Sequence, residues 1–251
     1  MIERALGERF TAGDGIPWTL TLRPAASPQA IEAFADRLPG PLPGEIRELL
    51  SIASGCDFVP GPAKRTGSWK VPDIVEQGVP VRFLAEEFFH LDEFPFGHGI
   101  AGDTFGNHWI VDIRTDTGAW GPVFFACHDP QFVAIQAPNL AGFLDQVFDL
   151  GRAGRTSALQ LMKDARVGWL HLQGPHRMAA RQARGSAEQV VAAFAIQLPD
   201  TFDLVDLRDA ATGTGFEWAD EEVRRFGAEL LFGVAPAPER KGFLGRLFGR
   251  G

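Results

Sequence analysis

GIAGDTFGNHWIVDIRTDTGAWGPVFFACH, residues 99–128, holds two strand-like runs on either side of a polar turn, and their pairing decides the fold. His108-Trp109-Ile110-Val111-Asp112-Ile113 and Val123-Phe124-Phe125-Ala126-Cys127-His128 are rich in β-branched and aromatic residues and are bracketed by Gly, Asp and Thr. They read as a hairpin with a loop longer than the two-residue minimum. A one-residue slip would turn every side chain to the other face, so the register can be argued from the apolar pattern. Ile113 opposite Val123 sets Val111 against Phe125 and Trp109 against Cys127, a wholly apolar face that belongs to the core. The other face carries Ile110, Phe124 and Ala126, with Asp112 near the loop and His108 paired with His128 at the far end. Being mixed, that face is either half covered or a binding surface.

Downstream, Phe132-Val133-Ala134-Ile135 reads as a third strand returning beside the second. Pro138 then opens a helix striped by Leu140, Phe143, Leu144, Val147 and Phe148 and ended by Gly151. Upstream, Trp18–Leu22 is a short β-like run. Ser27 caps a helix with Pro28 at its first position and Ala30, Ile31, Phe34, Ala35 and Leu38 at helical spacing. The Pro-Gly-Pro-Leu-Pro run at 39–43 opens a second helix with Leu42, Ile46, Leu49, Leu50 and Ala53 inward, and Gly55 supplies a left-handed stop. Residues 56–70 read as loop, and the apolar runs at 71–75, 81–84 and 88–91 suit either strands or helical turns.

Beyond Gly154 the texture changes to more Ala and Arg. A helix is expected within 157–171, and a second after the capping box Ser186-Ala187-Glu188-Gln189, carrying Val190, Val191, Phe194 and Leu198. Phe202–Leu207 reads as a strand, and a third helix is expected from near Asp220 through Val223, Phe226, Leu230 and Leu231. The expected fold class is α+β: an antiparallel meander with helices packed on it, plus a smaller, mostly helical C-terminal region. The expected divisions are a main domain at 1–152, an accessory α/β region at 153–235 and a basic amphipathic tail at 236–251.

The chain has 251 residues, 45% hydrophobic and 22% charged, a soluble globular composition. No apolar run approaches the ~18 residues needed to cross a bilayer. MIERALGERF carries acidic residues and no apolar core, which leads to the expectation of a cytoplasmic protein. Cys56 and Cys127 lack CxxC spacing and read as reduced, buried small hydrophobes. Residues 1–152 hold 11 Lys/Arg against 20 Asp/Glu, whereas residues 240–251 hold 4 against none. A body of that sign repels nucleic acid and steers toward a basic partner.

Leu42-Pro43-Gly44-Glu45-Ile46-Arg47-Glu48-Leu49-Leu50 followed by Ala53-Ser54-Gly55 is similar to the opening helix of the SUKH superfamily, the Smi/Knr-type domain. Gly102-Asp103, Gly106-Asn107, Trp109–Ile113, Gly118, Gly121 and Val123-Phe124-Phe125 resemble its sheet segment, and 139–148 its closing helix. The resemblance covers about residues 27–150. The chain departs from the pattern in Ser54, where Asn is usual, and in about 100 extra C-terminal residues. The resemblance implies an α+β fold without a general catalytic signature. It also implies a protein-binding role: many bacterial members are immunity proteins that neutralise toxins, often nucleases, and fungal relatives act in cell-wall and morphogenesis signalling.

His108 and His128, with Asp129, His98 and Asp103 nearby, are the residue types of a zinc or iron site, but no HExxH or His-x-His spacing supports one, and no metal or cofactor is expected. No Ser-His-Asp set can be assembled, Cys127 belongs to the apolar face, and Gly102–Asn107 lacks the Lys and the strand-loop-helix setting of a phosphate cradle. A metal-dependent hydrolase therefore ranks below a non-catalytic protein. Glu86, Glu87, Asp92 and Glu93 interleave with Phe83, Phe88, Phe89, Phe94 and Phe96, the mix suited to capturing a basic protein. The expected partner-binding set is Glu86, Glu87, Phe88, Asp92, Glu93, Asp103, Asn107 and Asp112. The leading expectation is an immunity protein that occludes a basic toxin domain. The alternative is an intracellular scaffold whose tail, with Phe243, Leu244, Leu247 and Phe248 among four cations, makes weak contact with a membrane or partner.

Overall fold

The computed structural model of the chain describes residues 10–11, 17–61, 78–84, 94–103, 106–128, 131–164, 176–217, 222–226 and 229–235. The hairpin forms as β6 (His108–Ile113) and β7 (Trp120–His128), and β8 (Gln131–Ala137) returns antiparallel beside β7. The register lies two residues from the expected one: Val111 faces Val123, Trp109 faces Phe125 and His108 faces Ala126. A shift of two keeps each side chain on its own face, so Trp109, Val111, Ile113, Val123, Phe125 and Cys127 do share one core. The shift originates in the turn. Gly118 N–H donates to the Arg114 carbonyl and Arg114 N–H to that of Ala119, so β7 begins at Trp120, which pairs with Ile113 across a bulge.

The hairpin lies within a larger antiparallel sheet. It takes in β1 (Phe10–Thr11), β2 (Pro17–Leu22), β3 (Gly55–Pro60), β4 (Val79–Arg82) and β5 (Gly97–Gly102) on one side of β6, and β11 (Gly215–Glu217) beyond β8. Residues 56–60 are therefore strand, not loop. Cys56 and Phe58 enter the core while Asp57 and Val59 turn outward, the alternation of a half-buried strand. Gly55 starts that strand instead of ending a helix. A Cβ there would lie 2.2 Å from the Val81 carbonyl oxygen, so β3 and β4 can pair this closely only through glycine.

Among the described residues, four helices cover one face of this sheet: α1 (Pro28–Ala35), α2 (Gly44–Ile52), α3 (Leu140–Ala153) and α4 (Ala158–Lys163). Ile31 and Phe34, Ile46 and Leu50, the stripe from Leu140 to Leu150, and Leu159 join the strand residues in one core. Ser27 caps α1 as expected, its hydroxyl accepting from Ala30 N–H at 3.1 Å. Asn139, one residue after Pro138, caps α3 by accepting from Gly142 N–H, and the helix runs past Gly151 to Gly154, whose φ is +56°.

The region after residue 164 covers the other face. β9 (Arg177–Ala179), β10 (Asp203–Asp206), β12 (Val223–Arg224) and β13 (Leu231–Val234) form a second antiparallel sheet, ordered β12-β13-β10-β9. Its inner side, Val205, Phe232 and Val234, meets Ile110, Phe124, Ala126, Val133 and Ile135, with Phe94 and Phe216 between. The face of the hairpin that the sequence left as covered or binding is covered. On the outer side of the second sheet, α5 (Ala180–Ala183) and α6 (Gln189–Ile196) pack over Leu204 and Leu231. The described residues thus stack as helices, large sheet, small sheet, helices.

The helix expected from Asp220 is replaced by β12 and β13, so strands carry more of this region than expected. Leu231–Val234 is buried throughout and paired on both sides, and such a run reads as a fully buried strand as readily as a helix. The capping box does not form as expected: Ser186 accepts from Glu188 N–H, two residues on, and the helix begins only at Gln189 with Glu188 at its cap. Strand β11 hydrogen-bonds to β8, so the region after residue 152 contributes a strand to the large sheet. The runs 71–75 and 88–91 and the tail 236–251 lie outside the described residues.

Candidate functional site

Asp112 is the expected surface residue that the fold moves furthest. It lies on the covered face of β6 and is 1% exposed. Arg225, between β12 and β13, holds it with two parallel bonds, Nη1 to Oδ1 at 2.5 Å and Nη2 to Oδ2 at 2.9 Å. Arg225 Nε also donates to the Glu229 carbonyl at 3.2 Å, and its guanidinium stands 5.2 Å from the ring centres of both Phe96 and Phe232. A carboxylate in this position is an internal ion-pair partner, out of reach of another protein. Asp112, a lone charge in the apolar run Trp109–Ile113, is a signal that could have pointed to an internal partner; Arg225, next to Arg224 and close to Glu221, Glu222 and Glu229, carries no such mark.

Glu86, Glu87, Phe88, Asp92 and Glu93 lie outside the described residues, but both flanks of their segment are placed. Phe83, just after β4, is buried in the helix-side core. Phe94, just before β5, is buried between the sheets, 5.1 Å from Phe124 and 5.9 Å from Phe232 by ring centre. The acidic stretch therefore joins neighbouring strands with its ends pinned on opposite faces of the sheet. His98 strengthens the near end: Nε2 lies 2.7 Å from the Phe83 carbonyl oxygen, and the ring packs against Phe34 and Trp120.

Asp103 and Asn107 close the turn between β5 and β6. Asn107 donates through its backbone N–H to Asp103 Oδ1 at 3.0 Å and through its amide to Oδ2 at 2.8 Å, while Asp103 N–H donates to the Asn107 carbonyl. Gly97 pairs with Asp112 and Gly102 with His108, so this turn is at the opposite end of β5 from the acidic stretch. The six-residue strand sets this turn roughly 17 Å from Gly97, the end of β5 that follows Phe94. The described members of the expected set are thus divided between this turn and the interior of the sheet.

The register expected to set His108 opposite His128 is not the one formed: Ala126 stands opposite His108, and His128 pairs with Gln131 of β8. Among the described residues, no three His, Cys, Asp or Glu side chains converge as metal ligands would. Cys56 and Cys127 are buried, and burial, with Asp57 beside it, pushes the Cys56 thiol up to about 12, far from a reactive thiolate. No described helix is long and apolar enough to cross a membrane.

The sequence also left two further features unread. Arg208 binds both Asp206 and Glu188. Its bonds hold the Glu188 carboxyl below its ordinary value. For Asp206 burial works the other way, but the Arg208 bonds outweigh it, and this carboxyl too is lowered. The second feature is an apolar outer face on α6, with Val190 and Ile196 exposed.

Over residues 25–146 the chain matches the family model described as SMI1 / KNR4 family (SUKH-1). No curated protein and no solved structure matches the chain significantly. The matched span takes in α1 through the first half of α3 and stops short of the second sheet.

Proposed function

Residues 25–146 belong to the SMI1/KNR4 family (SUKH-1), and from that premise we propose that the protein is a non-catalytic binding module, an immunity protein that neutralises a toxin of a contact-dependent or secreted system. The family match carries this reading. Charge supports it: 11 Lys/Arg against 20 Asp/Glu in residues 1–152 suits a basic toxin domain and disfavours nucleic acid. The contact is proposed to run through Glu86, Glu87, Phe88, Asp92 and Glu93, whose segment is anchored at both ends by buried phenylalanines. Asp103, half-buried at the other end of β5, offers a second, separate contact, whereas Asp112 and Asn107 drop out of the set because both are interior, Asn107 being engaged in holding the Asp103 carboxylate. The protein acts in the cytoplasm, where an incoming toxin would meet it.

Co-expression with the product of the neighbouring gene, which this reading expects to be a toxin, tests it directly. The full chain is expected to protect cells, to co-purify with the toxin at low salt and to release it at high salt. Glu86→Lys/Glu87→Lys is expected to abolish both protection and capture. Protection that survives the double reversal, or capture indifferent to salt, would overturn the proposed surface. Absence of protection by the wild-type chain would overturn the immunity role.

A further inference from the structure

Helix α6 lacks the polar face that a surface helix ordinarily presents. Every residue from Val190 to Ile196 is apolar, and Val191, Phe194 and Ala195 pack inward onto the second sheet. Val190, Ala193 and Ile196 are left facing outward, Ile196 68% exposed, where charged residues normally stand. Phe226, 36% exposed with its ring centre 5.5 Å from that of Phe194, extends the patch. Carboxylates stand at both ends of the helix: Glu188 before it and Asp200 after it, each exposed although bound on one side by an arginine.

We propose that this patch is the docking site for the chain's own segment 240–251, Arg240-Lys241-Gly242-Phe243-Leu244-Gly245-Arg246-Leu247-Phe248-Gly249-Arg250-Gly251. Position is the first argument. Ala235, where the described residues end, packs against the same cluster that α6 covers from outside. The four intervening residues, 236–239, carry the chain about 17 Å from Ala235 to Arg240 when extended, and an eight-residue helix is only about 12 Å long. Chemistry is the second argument. Phe243, Leu244, Leu247 and Phe248 recur at i, i+1, i+4 and i+5 and match an apolar strip, while four cations and no Asp or Glu match a strip ended by carboxylates.

Size selects this occupant over the others. The outer side of one short helix falls well below the ~800 Å² per partner that a stable dimer buries. A tethered segment needs far less, because its effective concentration is in the millimolar range. An anionic lipid surface would gain no net attraction from a strip whose end carboxylates, Glu188 and Asp200, are each matched by an arginine.

The test uses the full chain with a nitroxide on Ala193→Cys, the native thiols being buried, and reads the amide resonances of residues 240–251. The expected result is loss of most of their intensity, unchanged on dilution, reduced at high salt, and abolished by Ile196→Glu or by Phe243→Ser/Leu247→Ser. Both variants change exposed or terminal positions, and an unchanged circular dichroism spectrum would show that they fold. Sharp tail resonances in the labelled wild type would overturn the proposal. So would broadening that vanishes on dilution, which would indicate a second copy, or ordering only on adding phosphatidylglycerol vesicles.

Discussion

Asp112 and Arg225 share a site where each would be costly alone. Their side chains are 2% and 0% exposed, and an isolated buried charge is destabilising unless its partner is present. Arg225→Met is expected to cost about 3–5 kcal/mol by leaving the carboxylate uncompensated. Asp112→Leu should cost a similar amount, and the double variant should recover most of the loss. Urea unfolding of the four proteins checks this, and strictly additive losses would contradict it. The turn of the hairpin is governed by shape instead. Gly118 has φ +71°, and a Cβ on it would lie 1.7 Å from the Pro41 carbonyl oxygen, so Gly118→Ala must push apart the hairpin and the link between α1 and α2. A loss of at least 1–3 kcal/mol is expected in thermal unfolding, roughly the cost of a left-handed non-glycine residue before the clash is added. Arg208 acts through pH. Because the folded values of Glu188 and Asp206 lie below their ordinary 4.5 and 3.8, their stabilisation is present above those values and lost as pH falls through the folded ones. Arg208→Gln should therefore be less stable than wild type at neutral pH, with the gap closing below about pH 4 in urea titrations.

Elements whose signals are local were legible. Ser27-Pro28 marks the start of α1 because a capping hydroxyl and a preset φ act within one turn. The two faces of β6 and β7 could be read because period-two alternation survives a register error of two. Elements defined only by their partners were not legible. The short strands β9, β11 and β12 have too few residues for periodicity, and β13 is apolar without alternation. The site followed the same rule: Asp112 read as a surface carboxylate because Arg225 is 113 residues away in sequence. Phe232 of β13 shows what those hidden strands contribute. Its ring centre lies within 5.9 Å of Phe94, 6.2 Å of Phe124 and 5.1 Å of Phe216, so it joins both sheets and the anchor of the acidic stretch. Phe232→Ala is expected to cost about 3–5 kcal/mol. It should also speed hydrogen exchange in β6 and β7 as much as in β10, whereas an effect confined to the second sheet would show that the two layers unfold independently.

At the scale of the whole molecule, the second sheet does for the matched domain what solvent could not. Ending the chain after Asp164 would keep all four helices of the first core but uncover Phe94, Ile110, Phe124, Ala126, Val133 and Ile135 and strip Asp112 of its guanidinium. At ~1.5–3 kcal/mol for each large side chain, the lost burial is on the order of 10 kcal/mol, the size of a typical domain's entire stability. Such a truncated chain is expected to bind a hydrophobic dye, to aggregate on size-exclusion chromatography and to unfold without a cooperative transition. A monomer that melts sharply near the wild-type temperature would mean that the C-terminal layers are an appended domain. The consequence reaches the proposed partner surface. Phe94 is held by Phe232 and Phe96 lies under Arg225, so the residues that follow the acidic stretch pack on residues outside the span matched by the family model. Toxin capture should then fall with Arg225→Met even though Arg225 is too deeply buried to touch a toxin. It should return in the Asp112→Leu/Arg225→Met double variant if packing is restored, because the lost element is the geometry of the anchor and not a contact.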